Sequence, residues 1–134
     1  TLFGLLKEIK VDCEKFSGLS EDIDHLLKSL NTASDQCKNA LDHLLNNSEK
    51  APYIAFNQMM LFGNSFAYWL LVKAIGNAKI KSEEGPGNKY LSQKISTTKF
   101  FASQVLTRNS AYLDAILSKT DSFDEFSFED FARG

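Results

Sequence analysis

The chain has 134 residues, 43% of them apolar and 24% charged, with a formal net charge of −2, two prolines and two cysteines. That length suits one domain able to bury a real core, and the composition excludes a disordered polar chain. Near neutrality gives no electrostatic ground for nucleic acid or an acidic membrane surface as partner. The basic residues Lys89, Lys94, Lys99 and Arg108 are stepped so that they walk around a helix rather than share a face, which predicts solvated surface and not a phosphate-binding stripe.

In chain order, Leu2, Leu5, Leu6, Ile9, Cys13 and Phe16 recur at steps of three and four and predict a first amphipathic helix ending near Phe16. Ser17-Gly18 is the stop, because glycine takes the left-handed cap conformation cheaply. Ser20 is placed as the N-cap of the next helix, with Glu21 and Asp22 in its positive-dipole first turn. Ile23, Leu26, Leu30, Ala33, Cys37, Ala40 and Leu44 form the second apolar stripe, widened by Leu27, Leu41 and Leu45. Asp24, Lys28, Asn31, Asp35, Lys38 and Asp42 form the wet face opposite. Asn46-Asn47-Ser48 ends that helix, and Pro52 sits in the first turn of the third, where its missing donor costs nothing.

The third segment, Ala51 to Ala78, organises the rest. Ala55, Met59, Phe62, Phe66 and Trp69 make one apolar stripe; Phe56, Met60, Gly63, Ala67, Leu70 and Ala74 make a second beside it. A helix apolar on nearly every side is buried on most of them. Asn57, Gln58, Asn64, Ser65 and Lys73 interrupt the run short of the ~20 apolar residues of a membrane span, so the expectation is a central rod about 40 Å long in a soluble bundle. Lys79 to Asn88 reads as a loop around Gly85-Pro86-Gly87. A last long helix is predicted from about Asn88 to Lys119, with Leu91, Ile95, Thr98, Ala102, Val105, Asn109, Tyr112 and Ile116 in a four-three rhythm. Phe123, Phe126, Phe128 and Phe131 then stand among acids, with Ser127 placed to cap a short final turn. The expected fold is all-α: an antiparallel helical bundle of three to four long helices plus a short C-terminal helical turn, one domain over residues 1–134.

Chemistry is sparse. His25 lies three and four residues after Asp22 and Glu21, the acid-x-x-His step of di-metal bundles, but that site needs the step twice and His43 has Ala40 in the corresponding place. The two histidines are about 27 Å apart along a helix and cannot share an ion. No glycine-rich phosphate loop or nucleophile elbow occurs. Cys13 and Cys37 lie about 8 Å and about 28 Å from the turn at Gly18, too far apart for a disulfide, and read as reduced thiols of a cytoplasmic protein. No catalytic, cofactor-binding or metal-ligating residue is assigned. Asn57 and Asn64 share a face and are expected to be satisfied core or interface groups. The Gly63-x-x-x-Ala67 step permits a close helix crossing. Because the third segment offers more apolar surface than one core needs, Phe62, Phe66 and Trp69, with Phe123, Phe126, Phe128 and Phe131, are expected to form an interdomain or partner surface.

LFGNSFAYWLLVKAI at 61–75, KISTTKFFASQVL at 94–106 with its Phe100-Phe101 step, and the acidic-phenylalanine ending at 123–131 resemble the C-terminal extension domain of bacterial acyl-CoA dehydrogenases. The chain is richer in Lys, Asn and Ser than that family's Ala- and Arg-rich pattern. The resemblance implies a non-catalytic appendage of an enzyme that uses FAD to dehydrogenate an acyl-CoA thioester. The carboxylate base and the flavin site would belong to an upstream catalytic domain of the same protein, with a homo-oligomer as a further association and no expected membrane contact. The start at Thr1, without a methionine, fits a fragment of a longer protein. The alternative expectation is a free-standing helical interaction module that holds a partner helix in a groove.

Overall fold

The computed structural model describes residues 1–82 and 89–118. The Gly85-Pro86-Gly87 loop and the four tail phenylalanines Phe123, Phe126, Phe128 and Phe131 lie outside the described residues. Every regular element among the described residues is helical, and together they make the all-α bundle.

Helix α1 (Leu2–Phe16) starts on Thr1, whose hydroxyl accepts the Gly4 N–H at 3.0 Å. The turn that follows needs Gly18, which sits at φ +82°, where a side chain is strained. Helix α2 (Glu21–Asn46) begins on Ser20, which accepts the Ile23 N–H at 3.1 Å. Its inward face is the predicted stripe from Ile23 to Ala40, with Leu27 and Leu41 buried beside it, while Leu45 points to solvent at 61% exposure. On the wet side, the Lys10 ammonium of α1 reaches Asn31 at 3.0 Å and Asp35 at 2.9 Å.

A 3-10 turn (Ser48–Lys50) leads into α3 (Ala51–Ser82). The helix outruns its expected end at Ala78. No breaker occurs at Lys79-Ile80-Lys81, and lysines in a last turn complement the negative end of the helix dipole. By length and composition Ser48–Lys81 is apolar enough to cross a membrane, contrary to the expectation drawn from its polar interruptions. Core helices of bundles share that length and composition, and 44% of its most apolar stretch is buried inside the bundle.

The expected last long helix is two helices, α4 (Lys89–Gln104) and α5 (Asn109–Leu117), separated by a 3-10 turn (Leu106–Arg108). Two hydroxyls back-bond beside the break: Ser103 Oγ donates to the Phe100 carbonyl at 2.9 Å and Thr107 Oγ1 donates to the Ser103 carbonyl at 3.0 Å. Such bonds compete with the backbone ladder, but Ser65 makes one to Leu61 inside the unbroken α3, so they accompany the break and do not by themselves account for it. The inward rhythm survives the break: Leu91, Thr98, Asn109 and Ile116 are all buried.

Directions follow from the contacts. Asp12 and Phe16 of α1 meet Trp69 and Gly76 of α3 in the same order, so α1 and α3 run parallel. Phe101 and Asn109 meet Tyr68 and Ser65 in reverse order, so α4 and α5 run against α3. Helix α2 packs behind α3, where the Tyr68 hydroxyl donates to the Leu26 carbonyl at 2.9 Å. The core is thus centred between α2 and α3, with α1 on one flank and α4–α5 on the other.

Candidate functional site: an apolar face on the third helix

Helix α3 carries three apolar rows, and the deepest is neither of the two stripes read from the sequence. Ile54, Leu61, Ser65, Tyr68, Val72 and Ile75 are the residues sunk between α2 and its neighbours. Their polar members are satisfied there. Ser65 Oγ donates to the Leu61 carbonyl at 2.7 Å and accepts Asn109 Nδ2 at 3.1 Å, and Asn64 Nδ2 reaches Asn109 Oδ1 at 3.4 Å. Asn64 and Asn57, expected as satisfied core or interface groups, are both half-buried, and Asn64 has the Asn109 partner just given. The same knot touches Cys37, whose thiol is pushed up to about 11 by burial, only partly opposed by its hydrogen bond with Ser65. Burial likewise pushes Tyr68 up to about 12. Both groups stay protonated at neutral pH, which makes them packing groups and not nucleophiles. Cys13 and Cys37 are free and buried, as their spacing from the turn requires.

The stripe of Phe62, Phe66 and Trp69 turns toward α1. Phe62 and Trp69 are buried and Phe66 is half-buried, stacked edge-on between them at ring separations of 5.6 and 6.4 Å. Trp69 Nε1 donates to the buried Asp12 carboxylate at 2.8 Å. Lys73 approaches the same oxygen at 3.7 Å and lies over the Trp69 ring at 5.3 Å. A buried carboxylate with a neutral donor and a cation is paired, and this cluster fastens α1 to α3. Of the α3 residues expected at a partner surface, then, two are inside this chain's own core.

The remaining row faces solvent. Phe56, Met59 and Leu70 are each more than 60% exposed, and Gly63, Ala67 and Ala74 between and beyond them are exposed as well. A Cβ added at Gly63 would meet nothing within 4 Å, whereas one at Gly76 would lie 2.5 Å from the Phe16 ring. The two glycines of the same helix therefore do different things: Gly76 admits α1, and Gly63 opens a notch on the free face. No charge interrupts this row from Phe56 to Ala74. A contiguous exposed apolar face of this length marks an interaction surface.

The groups that could carry chemistry are few among the described residues. Among the described residues no group of three His, Cys, Asp or Glu side chains is placed to hold a metal. His25 borders an open groove with Ser29, Lys99 and Ser103, and a second groove beside it is lined by Thr32, Gln36, Thr107 and Ser110. The first groove places His25 near the Ser29 and Ser103 hydroxyls, but the hydroxyl of Ser103 is bonded to the Phe100 carbonyl. The sequence named the residues of the exposed row but not their exposure; the signal available was the alternation of bulky and very small side chains along it.

No curated protein and no solved structure matches the chain. The profile of the family described as acetyl-CoA dehydrogenase C-terminal like does match it, over residues 5–126, which takes in every described helix apart from the first turn of α1. With that span of agreement on an all-helical frame, the chain belongs to the acetyl-CoA dehydrogenase C-terminal-like family.

Proposed function

We propose that residues 1–134 form the non-catalytic C-terminal helical domain of a cytoplasmic, FAD-dependent acyl-CoA dehydrogenase, and that the domain buttresses the catalytic body or an oligomer interface of that enzyme. The observation that carries this reading is the exposed apolar row of α3, which an isolated domain has no reason to keep. Family membership supports a parent with a catalytic domain. In this reading the acyl-CoA thioester, the base and the flavin all belong to the parent's body, and no residue of this chain takes part in hydride transfer. The tail phenylalanines Phe123, Phe126, Phe128 and Phe131 belong to the proposed association surface together with Phe66.

The competing reading, a free-standing interaction module, uses the same face of α3 but needs no flavoenzyme. The two separate on one experiment: expression of the whole gene, including any coding region upstream of Thr1. The dehydrogenase reading expects a yellow protein with bound FAD that oxidises an acyl-CoA with an artificial electron acceptor, while the 134-residue chain binds neither FAD nor acyl-CoA. A colourless full-length product with no dehydrogenase body would contradict it.

A further inference from the structure

The exposed row of α3 has an internal order that selects its partner. Glu49, Phe56, Gly63 and Leu70 follow one another at intervals of seven, and so do Met60, Ala67, Ala74 and Lys81. A seven-residue repeat keeps two rows on one side of a helix and suits packing against a single other helix. From Phe56 to Ala74 the rows span about 27 Å at ~1.5 Å per residue. All of these residues are exposed except Met60, which is half-exposed, and Glu49 lies in the 3-10 turn continuous with α3.

We infer that this face pairs with the same face of a second copy of the chain, the two α3 helices lying antiparallel about a two-fold axis between Gly63 and Ala67. The inference rests on the reading of α3 as an interface and adds the identity of its partner. In this register the two rows are complementary position by position. Phe56 faces the partner's Ala74, large against small. Gly63 faces the partner's Ala67, so the backbones approach closely at the crossing. Leu70 faces the partner's Met60, two flexible or branched apolar side chains of similar volume. At the ends, Glu49 faces the partner's Lys81, and the two-fold repeats this opposite-charge pair at the other end. A parallel arrangement in register sets Phe56 on Phe56, Glu49 on Glu49 and Lys81 on Lys81, which crowds one end and opposes like charges at both. The charge pattern therefore chooses the antiparallel pair, as end charges choose orientation in coiled coils.

The test is sedimentation equilibrium of the 134-residue chain across the micromolar range, with circular dichroism on each variant. The wild-type chain is expected to dimerise. Ala67→Glu, at an exposed position of the folded chain, keeps its helicity and thermal transition but weakens the dimer by about a hundredfold, because a carboxylate would be buried at the crossing. Glu49→Lys weakens it by about threefold to tenfold, and adding Lys81→Glu restores it by returning opposite charges to both ends. A monomeric wild-type chain, or a dimer indifferent to Ala67→Glu, overturns the pairing. A dimer that Ala67→Glu breaks but the double reversal does not restore overturns the antiparallel register. None of these results bears on whether the parent carries FAD, so the two proposals fail separately.

Discussion

Two glycines on one helix carry opposite predictions. Gly76→Ala would drive a Cβ to 2.5 Å from the Phe16 ring, and overpacking of that kind costs about 1–3 kcal/mol. Gly63→Ala meets open space and removes a helix-interior glycine, so in dilute solution it is expected to stabilise the fold by up to about 1 kcal/mol. Urea denaturation of both variants checks the pair of signs. Asp12→Ala strips Trp69 and Lys73 of their shared acceptor and leaves an indole N–H buried without a partner, at a cost of about 1–3 kcal/mol. Trp69 is the single tryptophan of the chain, so its emission reports the event directly: a red shift is expected as α1 loosens. The thiol of Cys37 titrates near 9.0 when unperturbed and is pushed up to about 11 in the fold, mainly by burial. The unfolded chain then releases its proton first, so the contribution of this group is intact below pH 9 and lost as pH rises toward 11. Tyr68 acts in the same sense between 10.0 and about 12. Urea midpoints measured from pH 8 upward should fall across this window, and Cys37→Ala should flatten the first part of the fall.

At the scale of elements, α1 and α2 were legible because their apolar residues keep to one side, and because Ser20 and Gly18 mark ends with local chemistry that needs no tertiary information. Helix α3 was legible as a helix but not as a packed object. With apolar residues on every side, its sequence does not say which row turns inward, and the row that does, from Ile54 through Tyr68 to Ile75, is set by what α2 offers it. The division of α4 from α5 was hidden for a different reason: the four-three rhythm continues unbroken through Val105 and Asn109, and nothing in that apolar pattern marks the 3-10 turn at Leu106–Arg108. That break turns Asn109 onto Ser65 and Asn64. Asn109→Ala is expected to cost about 1–3 kcal/mol by taking the donor from the buried Ser65 oxygen and the acceptor from the half-buried Asn64 amide. By contrast, Lys99→Ala, which removes a solvent-exposed ion pair with Asp22, is expected to cost no more than about 1 kcal/mol. The ranking of these two variants in urea tests whether the α5 contact or the surface pairing holds the second half of the bundle in place.

For the whole molecule, the family is one of C-terminal-like domains, and the arrangement of α3 says how such a domain offers itself for association. One row of the helix is spent on the core, one on α1, and one is left facing outward with small residues at its centre and opposite charges at its ends. A domain built this way needs that third row covered in solution. The most direct measurement is the alkylation rate of a single thiol introduced by Ala67→Cys, since Cys13 and Cys37 are buried and stay silent while the fold is intact. The rate is predicted to fall steeply as protein concentration rises, because the second copy shields the position. A rate that is fast and independent of concentration would contradict the account.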